Sequence, residues 1–359
     1  MSFELLKSEI QKGLDGRNGG IPMGFDRLNR YIGIRKSMYF LVGGLTGSGK
    51  TSFIDDAFVL NPFDWYISQK SPKIKLRIIY RSMERSKTYK LAKWVSRKIF
   101  VDQGIMIPVP KLLGWTEKMT KDEHDLFLMY EDYMESMNDV ITIIDGPENP
   151  VGIAKELKAH AVQNGRIEQI DEYNKCYFPN NESEVTIVVI DHIGLLKLTK
   201  DQPTKKQAID KMSDELRYAR DFYGYTPVVV SQFNRDISNP MRIKNGDVEP
   251  QLEDFADSSS TQNDADVVLA LFDPMRYKVS DPSGYDLDKL RDSYGAKYFR
   301  SLRLIKNSYG SDDVRIGLAF LGDIGMFREL PKRKDVTDAV YESVTNKSFF
   351  LENNKRNIW

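Results

Sequence analysis

Four glycines within seven residues, followed at once by Lys-Thr, constrain this chain more than any other stretch. The segment Met38-Tyr-Phe-Leu-Val-Gly-Gly-Leu-Thr-Gly-Ser-Gly-Lys-Thr-Ser52 reads as strand, loop, helix. Met38 to Val42 is a short β-compatible apolar run, and Lys50 to Leu60 has helical apolar spacing that Asn61-Pro62 is expected to end. Within it, Gly44-Leu45-Thr46-Gly47-Ser48-Gly49-Lys50-Thr51 satisfies G-x-x-x-x-G-K-[ST] at every fixed position. Small residues let backbone N–H groups wrap a polyphosphate at the positive end of a helix dipole. Lys50 then reaches the terminal phosphates, and the Thr51 hydroxyl ligates Mg²⁺. A glycine-rich turn that bound nothing would have no need of Lys and Thr at those two places.

The rest of the chain repeats the alternation of strand and helix. Lys75 to Glu84 reads as a strand ending in a carboxylate, with a helix from about Ser86 to Val101 after it. Pro108 and Pro110 break the next stretch, which continues as an acidic helical segment from Lys121 to Met137. Val140 to Asp145 is a third strand, and Asn149-Pro150 opens another helix. Val185-Thr-Ile-Val-Val-Ile-Asp191 is an unbroken apolar run suited to the centre of a parallel sheet, and it too ends in a carboxylate. Asp191 there has the form of a Walker B residue, holding Mg²⁺ through water beside the phosphate loop. Further strands are expected at Pro227–Gln232, Asp266–Phe272, Leu302–Lys306 and Arg315–Phe320. The pattern argues for a doubly wound α/β sheet with its ligand at the carboxyl ends of the strands.

Composition narrows the class. At 359 residues the chain suits one large domain with appendages or two smaller ones. No apolar run is long enough to cross a bilayer, and the start lacks a signal-peptide pattern, so a cytoplasmic protein with no membrane partner is expected. Cys176 stands alone, and His124, His160 and His192 are scattered, which excludes an internal disulfide and argues against a zinc site. Lys+Arg and Asp+Glu both number 52, so there is no global basic footprint. Local basic loops still suffice for a protein that threads a strand through a channel.

Taken in order, the motifs resemble the RecA-like motor domain of DnaB-type replicative DNA helicases, over roughly Phe3 to Leu330. Ile21-Pro-Met-Gly-Phe-Asp-Arg-Leu-Asn29 is similar to the family's entry segment. Ser82-Met-Glu84 resembles its Ser-Leu-Glu motif, and Ile144-Asp-Gly-Pro147 its Asp-x-Pro strand end. Val189-Ile-Asp-His-Ile193 resembles its Walker B element, Ser231-Gln-Phe-Asn-Arg235 its Ser-Gln-Leu-Asn-Arg motif, and Leu252 to Asp266 the segment before the next core strand. The resemblance implies a RecA-like P-loop NTPase core, a mostly parallel twisted sheet flanked by helices. It also implies a division into a linker helix and joint (1–20), an ATPase domain (21–330) and a tail (331–359).

The resemblance further implies roles. ATP and Mg²⁺ would be the cofactors, Glu84 would polarise the attacking water, and Gln232 would sense the γ-phosphate. Lys306 would reach into a neighbouring subunit's site, in a hexameric ring of identical chains. Single-stranded DNA would be gripped by loops carrying Lys200, Lys205, Lys206, Arg235, Arg242 and Lys244, whose charges neutralise phosphates without reading bases. Primase or a helicase loader would be further partners. Phe3, Leu6, Ile10 and Leu14 share one face of a short amphipathic helix, which either packs at home or docks on the adjacent subunit.

Two departures stand out. Ser308 occupies the place of the family's arginine finger, a residue worth about 10³–10⁵ in turnover in phosphoryl-transfer systems. Arg303 or Arg300 would have to substitute from a shifted position. Ala256 stands where the family usually has arginine. Only about twenty residues precede the motor, so the family's helical collar is expected to be missing, as in phage-encoded forms acting in a host cytoplasm. In the tail, Phe349, Phe350 and Trp359 belong either to a solvated extension or to a docking surface. The rival functional reading is a slowly hydrolysing DNA-binding or helicase-loading subunit that keeps the nucleotide pocket.

Overall fold

Strand β1 (Phe40–Gly44) is buried along its whole length, because both of its faces carry apolar side chains. Phe40 and Val42 point into one hydrophobic cluster, and Tyr39 and Leu41 into a second on the opposite face of the sheet. A computed structural model describes residues 3–15, 18–245, 247–255 and 259–351, with the side chains of Leu5, Arg235, Ser238 and Ser259 left aside. The strands that follow in the chain are β2 (Lys75–Ser82), β3 (Ile141–Asp145), β4 (Gly165–Gln169), β5 (Lys175–Pro179) and β6 (Glu184–Asp191). After them come β7 (Thr226–Gln232), β8 (Val267–Phe272), β9 (Phe299–Asn307), β10 (Val314–Leu321) and β11 (Met326–Glu329).

Nine of these form one sheet in the order β11-β10-β9-β8-β1-β7-β6-β2-β3. From β8 to β3 the pairings are parallel, while β9, β10 and β11 are added antiparallel at one edge. Continuous apolar runs in β1, β6 and β7 follow from this, since helices cover both faces of the parallel part. Val228 and Val230 face one cluster with Ile187 and Val189, and Val229 faces the other with Val188 and Ile190. Each such side chain contributes roughly 1.5–3 kcal/mol on burial.

Several elements depart from the sequence-based expectation. Asn61-Pro62 does not end the helix after the phosphate loop. The helix Lys50–Ile54 passes through a π-turn over Asp55–Leu60 and resumes over Asn61–Ser68, with Pro62 in the first turn of that last piece. The wider turn accommodates the proline ring, which also lacks the N–H that an α-turn there would use. The acidic segment is two helices, Lys121–Leu128 and Glu131–Val140, separated where Tyr130 turns inward against Val95, Ile99 and Ile107. The β4–β5 hairpin and β11 were not anticipated; both are short, and the hairpin strands are largely exposed, so neither has an apolar run.

The helix Phe3–Leu14 forms as the spacing predicts, with Phe3, Leu6, Ile10 and Leu14 all exposed. The joint after it includes residues outside the described set, as does Trp359. Phe349 and Phe350 are buried with Tyr285, Phe299 and Tyr341, so this part of the tail packs on its own chain rather than extending into solvent.

Candidate functional site

The register of the parallel strands brings the carboxyl ends of β1, β7, β6, β2 and β3 level with one another. Gly44 pairs with Gln232, Ser82 pairs with Asp191, and Ser82 pairs with Asp145 on its other side. Above these ends lies a cleft of about 390 Å³ lined by Thr46, Gly47, Gly49, Lys50, Thr51, Glu84, Asp191 and Gln232 among others. The phosphate loop, Asp191, Glu84 and Gln232 therefore line one cleft, the residues that the family resemblance groups together.

The loop is held from behind and in front. Gly47 and Gly49 have φ of 80° and 97°, values that cost a side-chain-bearing residue strain and let the backbone fold around a ligand. Lys50 Nζ donates to the carbonyls of Gly44 at 2.7 Å and Leu45 at 3.1 Å, which places its ammonium inside the loop. Arg300 Nε donates to Ser48 O at 2.9 Å, and Arg276 donates to Thr46 O. Arg300 is paired with Asp273 at 3.4 Å, and its guanidinium lies 4.7 Å from the centre of the Phe320 ring.

On the other wall, Thr51 Oγ1 donates to Asp191 Oδ1 at 3.0 Å, and the Tyr80 hydroxyl donates to Asp191 Oδ2 at 2.9 Å. Lys90 Nζ lies 3.2 Å from the same Oδ2 and 2.9 Å from Asp55 Oδ1. Burial alone would raise the Asp191 carboxyl pKa. The Lys90 charge and the hydrogen bonds from Tyr80, Lys90 and Thr51 outweigh it and hold the group below its ordinary value, so it is a carboxylate at neutral pH. Burial likewise drives the Tyr80 phenol well above its usual range, reinforced by Asp191 and Asp55.

This donor set suits a hard divalent cation. A hydroxyl and one ionised carboxylate oxygen sit together, and no group of three or more His, Cys, Asp or Glu able to hold a metal occurs among the described residues. Such a pair leaves most of the coordination shell to water and phosphate oxygens, as Mg²⁺ prefers.

Glu84 is exposed at the cleft's edge, two residues beyond β2. Gln232 Nε2 and His192 Nε2 are 3.3 Å apart, so the end of β7 touches the residue after Asp191. Lys306 lies elsewhere. It pairs with Val268, which is level with Leu41 rather than Gly44, and its Nζ donates to the carbonyls of Gln262 and Asn263 at 3.2 Å each. It therefore sits toward the opposite end of the sheet from its own chain's phosphate loop.

The basic residues are divided. Lys200 is exposed in a loop, but Lys205 and Lys206 are exposed on the first turn of the helix Lys205–Tyr223, because Thr204 and Gln207 form a capping box that starts the helix there. Lys244 is exposed, whereas Arg242 is folded back on Asp254 and on the carbonyl of Asp247. The Arg235 side chain and Ala256 lie outside the described residues. Arg303 is held by Asp313 at 2.7 Å and by the carbonyl of Pro250 at 2.8 Å.

Sequence reasoning passed over Lys90, Tyr80, Asp55, Arg276 and the cis role of Arg300. One signal was present: Lys90 and Arg97 fall on the same helical face as Trp94, a place where an unpaired charge would be costly.

The sheet order, the loop after β1 and the carboxylate at the end of β6 define a RecA-like P-loop fold. Residues 20–329 match the DnaB-like helicase C terminal domain, and the chain belongs to that family. A probable replicative DNA helicase of Trieres chinensis is 24% identical over 271 residues, spanning 75% of this chain and 50% of that protein. The replicative DNA helicase DnaB of Mycobacterium intracellulare is 26% identical over 107 residues, 30% of this chain and 18% of that one. The chain thus spans half the length of the first relative and a smaller share of the second. Among solved structures, one ATPase domain aligns with a TM-score of 0.66 at 18% identity, covering 92% of this chain and 99% of that one. A DnaB-like replicative helicase described with its primase interactions aligns at 0.65 and 18% identity, covering 92% and 67%.

Proposed function

We propose that this chain is the ATP-driven motor of a replicative DNA helicase, which translocates on single-stranded DNA and separates duplex strands as a hexameric ring. The observation that carries the reading is the convergence of Lys50, Thr51, Glu84, Asp191 and Gln232 on one cleft, within a chain of the DnaB-like family. The loop N–H groups and Lys50 bind the phosphates. Thr51 and Asp191 would hold Mg²⁺, which neutralises charge on the phosphoryl oxygens when bound with nucleotide. Glu84 orients the attacking water and accepts its proton. Gln232 reports the state of the terminal phosphate to the segment that follows it, whose Lys244, with Lys200, Lys205 and Lys206, would meet the strand, while Arg242 holds the segment's fold through Asp254. Lys306, remote from its own loop, serves a neighbouring subunit's site. The exposed apolar stripe of the helix Phe3–Leu14 supports assembly with a second copy, and primase or a loader is the expected further partner, in the cytoplasm.

A second reading, a slowly hydrolysing loading or scaffolding subunit, is favoured by one feature. Ser308 carries no finger, and the two nearby arginines are already engaged with Ser48, Asp273, Asp313 and Pro250. Steady-state ATP hydrolysis with and without single-stranded DNA, on the wild type and Glu84→Gln, separates the two. DNA-stimulated turnover that Glu84→Gln abolishes, with unwinding of a forked substrate, supports the motor. Tight ATP binding with negligible turnover in either condition favours the second reading.

A further inference from the structure

Lys90 sits in the wall of the cleft yet has no part in the reaction just described. It is 1% exposed, on the helix Lys87–Gln103, and its ammonium is enclosed by Asp55, Tyr80 and Asp191. The two oxygens of Asp191 have different partners. Oδ1 meets the Thr51 hydroxyl of the phosphate loop, and Oδ2 meets Tyr80 and Lys90. Asp55, itself 2% exposed, offers Oδ1 to Lys90, while its Oδ2 is buried with no hydrogen-bond partner. Two buried carboxylates thus converge on one ammonium. Take that ammonium away and they form an electronegative pocket of the kind that captures a cation.

We propose that Lys90 is an internal counter-ion that closes the Asp191 site to free divalent metal, so that the cation enters only as its complex with nucleotide. The ammonium occupies Oδ2 and Asp55, which leaves Oδ1 and Thr51 as the open donors. Two donors of that kind do not hold a hard cation alone, because most of its shell must come from elsewhere; phosphate oxygens supply the remainder. Lys90 is therefore a positioning residue, orienting Asp191 and setting the order in which the site fills. The inference rests on the assignment of Thr51 and Asp191 as metal-binding residues.

The test is equilibrium Mn²⁺ binding to the purified full chain, read from the free-ion electron paramagnetic resonance signal with and without ADP. The wild type is expected to take up Mn²⁺ only when ADP is present. Lys90→Met is expected to gain a nucleotide-independent Mn²⁺ site, with affinity raised by about tenfold or more, since an opposing charge in direct contact has been removed. Asp55→Asn combined with Lys90→Met leaves one buried carboxylate rather than two without the ammonium, so it is less destabilised than the single variant and is expected to show a smaller gain in the same direction. Wild-type Mn²⁺ binding without ADP that Asp191→Asn abolishes would overturn the proposal by itself. So would folded variants that bind Mn²⁺ no better than the wild type in the absence of ADP. Absence of Mn²⁺ uptake by the wild type even with ADP would instead reject the metal assignment, and the proposal with it.

Discussion

Arg300 Nε donates to the carbonyl oxygen of Ser48 at 2.9 Å, joining β9, the first strand of the antiparallel extension, to the middle of the phosphate loop. The guanidinium is 7% exposed and its partner Asp273 is 9% exposed. A buried arginine that fixes the loop of its own chain would not be free to act across a subunit boundary, which argues against Arg300 as a substitute finger. Arg300→Met would take its arginine from the buried Asp273, which keeps the Arg276 backbone N–H, a loss of about 3 kcal/mol. The expected outcome is a lower denaturation midpoint together with weaker nucleotide binding. Unchanged nucleotide affinity in a destabilised variant would mean that the arginine holds the strand and not the loop.

Ser308 follows from the same geometry. Its backbone N–H bonds to Asp266 O at 2.9 Å, while the residue itself is exposed, so a larger side chain is accommodated there. With Arg300 and Arg303 both engaged, Ser308→Arg is expected to raise turnover in the assembled protein, up to the ~10³-fold gain that a trans arginine gives elsewhere. Hydrolysis assays across protein concentrations check this, because the gain must appear only where subunits associate. A faster wild type that the substitution slows would show that another group already serves as the finger.

How the sequence and the structure correspond is uneven, and the reasons are physical. Backbone chemistry made the phosphate loop legible: only glycine tolerates the dihedrals at Gly47 and Gly49, and Lys50 and Thr51 have no structural reason to follow them. Strands buried on both faces, such as β6, were legible because burial demands an unbroken apolar run. Arg300 was not legible, and Lys90 only through its place on the Trp94 face of its helix, since a charge buried by a partner far along the chain looks in sequence much like a surface charge. Asp55 and Lys90 are 35 residues apart, and Ser48 and Arg300 are 252 apart. The π-turn before Pro62 was hidden for a related reason, because packing of Phe58 and Phe63 in the core overrides the local stop signal.

The helix Phe3–Leu14 presents an apolar stripe with Phe3 68%, Leu6 54%, Ile10 55% and Leu14 76% exposed. Exposure of four such residues along one helix face carries a cost in water that a second copy seated on it would remove. The pair Leu6→Ser and Ile10→Ser is expected to shift the protein toward smaller species in sedimentation velocity, with nucleotide affinity of the isolated chain unaltered. An unchanged distribution of species would assign the stripe to a different partner.

His160 supplies a pH prediction with a defined sign. Its Nδ1 is 2.7 Å from the Tyr225 hydroxyl, and burial lowers its pKa from the ordinary 6.5, helped by the charges of Arg77 and Lys75 and opposed by Glu184. In the unfolded chain the imidazole takes up a proton more readily than in the folded one, so stability rises with pH across the interval between the two values. The stabilisation is fully present above about 6.5 and is lost as the pH falls through the lower folded value. Urea midpoints measured at several pH values for the wild type and His160→Gln isolate this group. The variant is expected to lose part of the decline below neutrality, and an identical decline in both would place the acid sensitivity in the carboxylates instead.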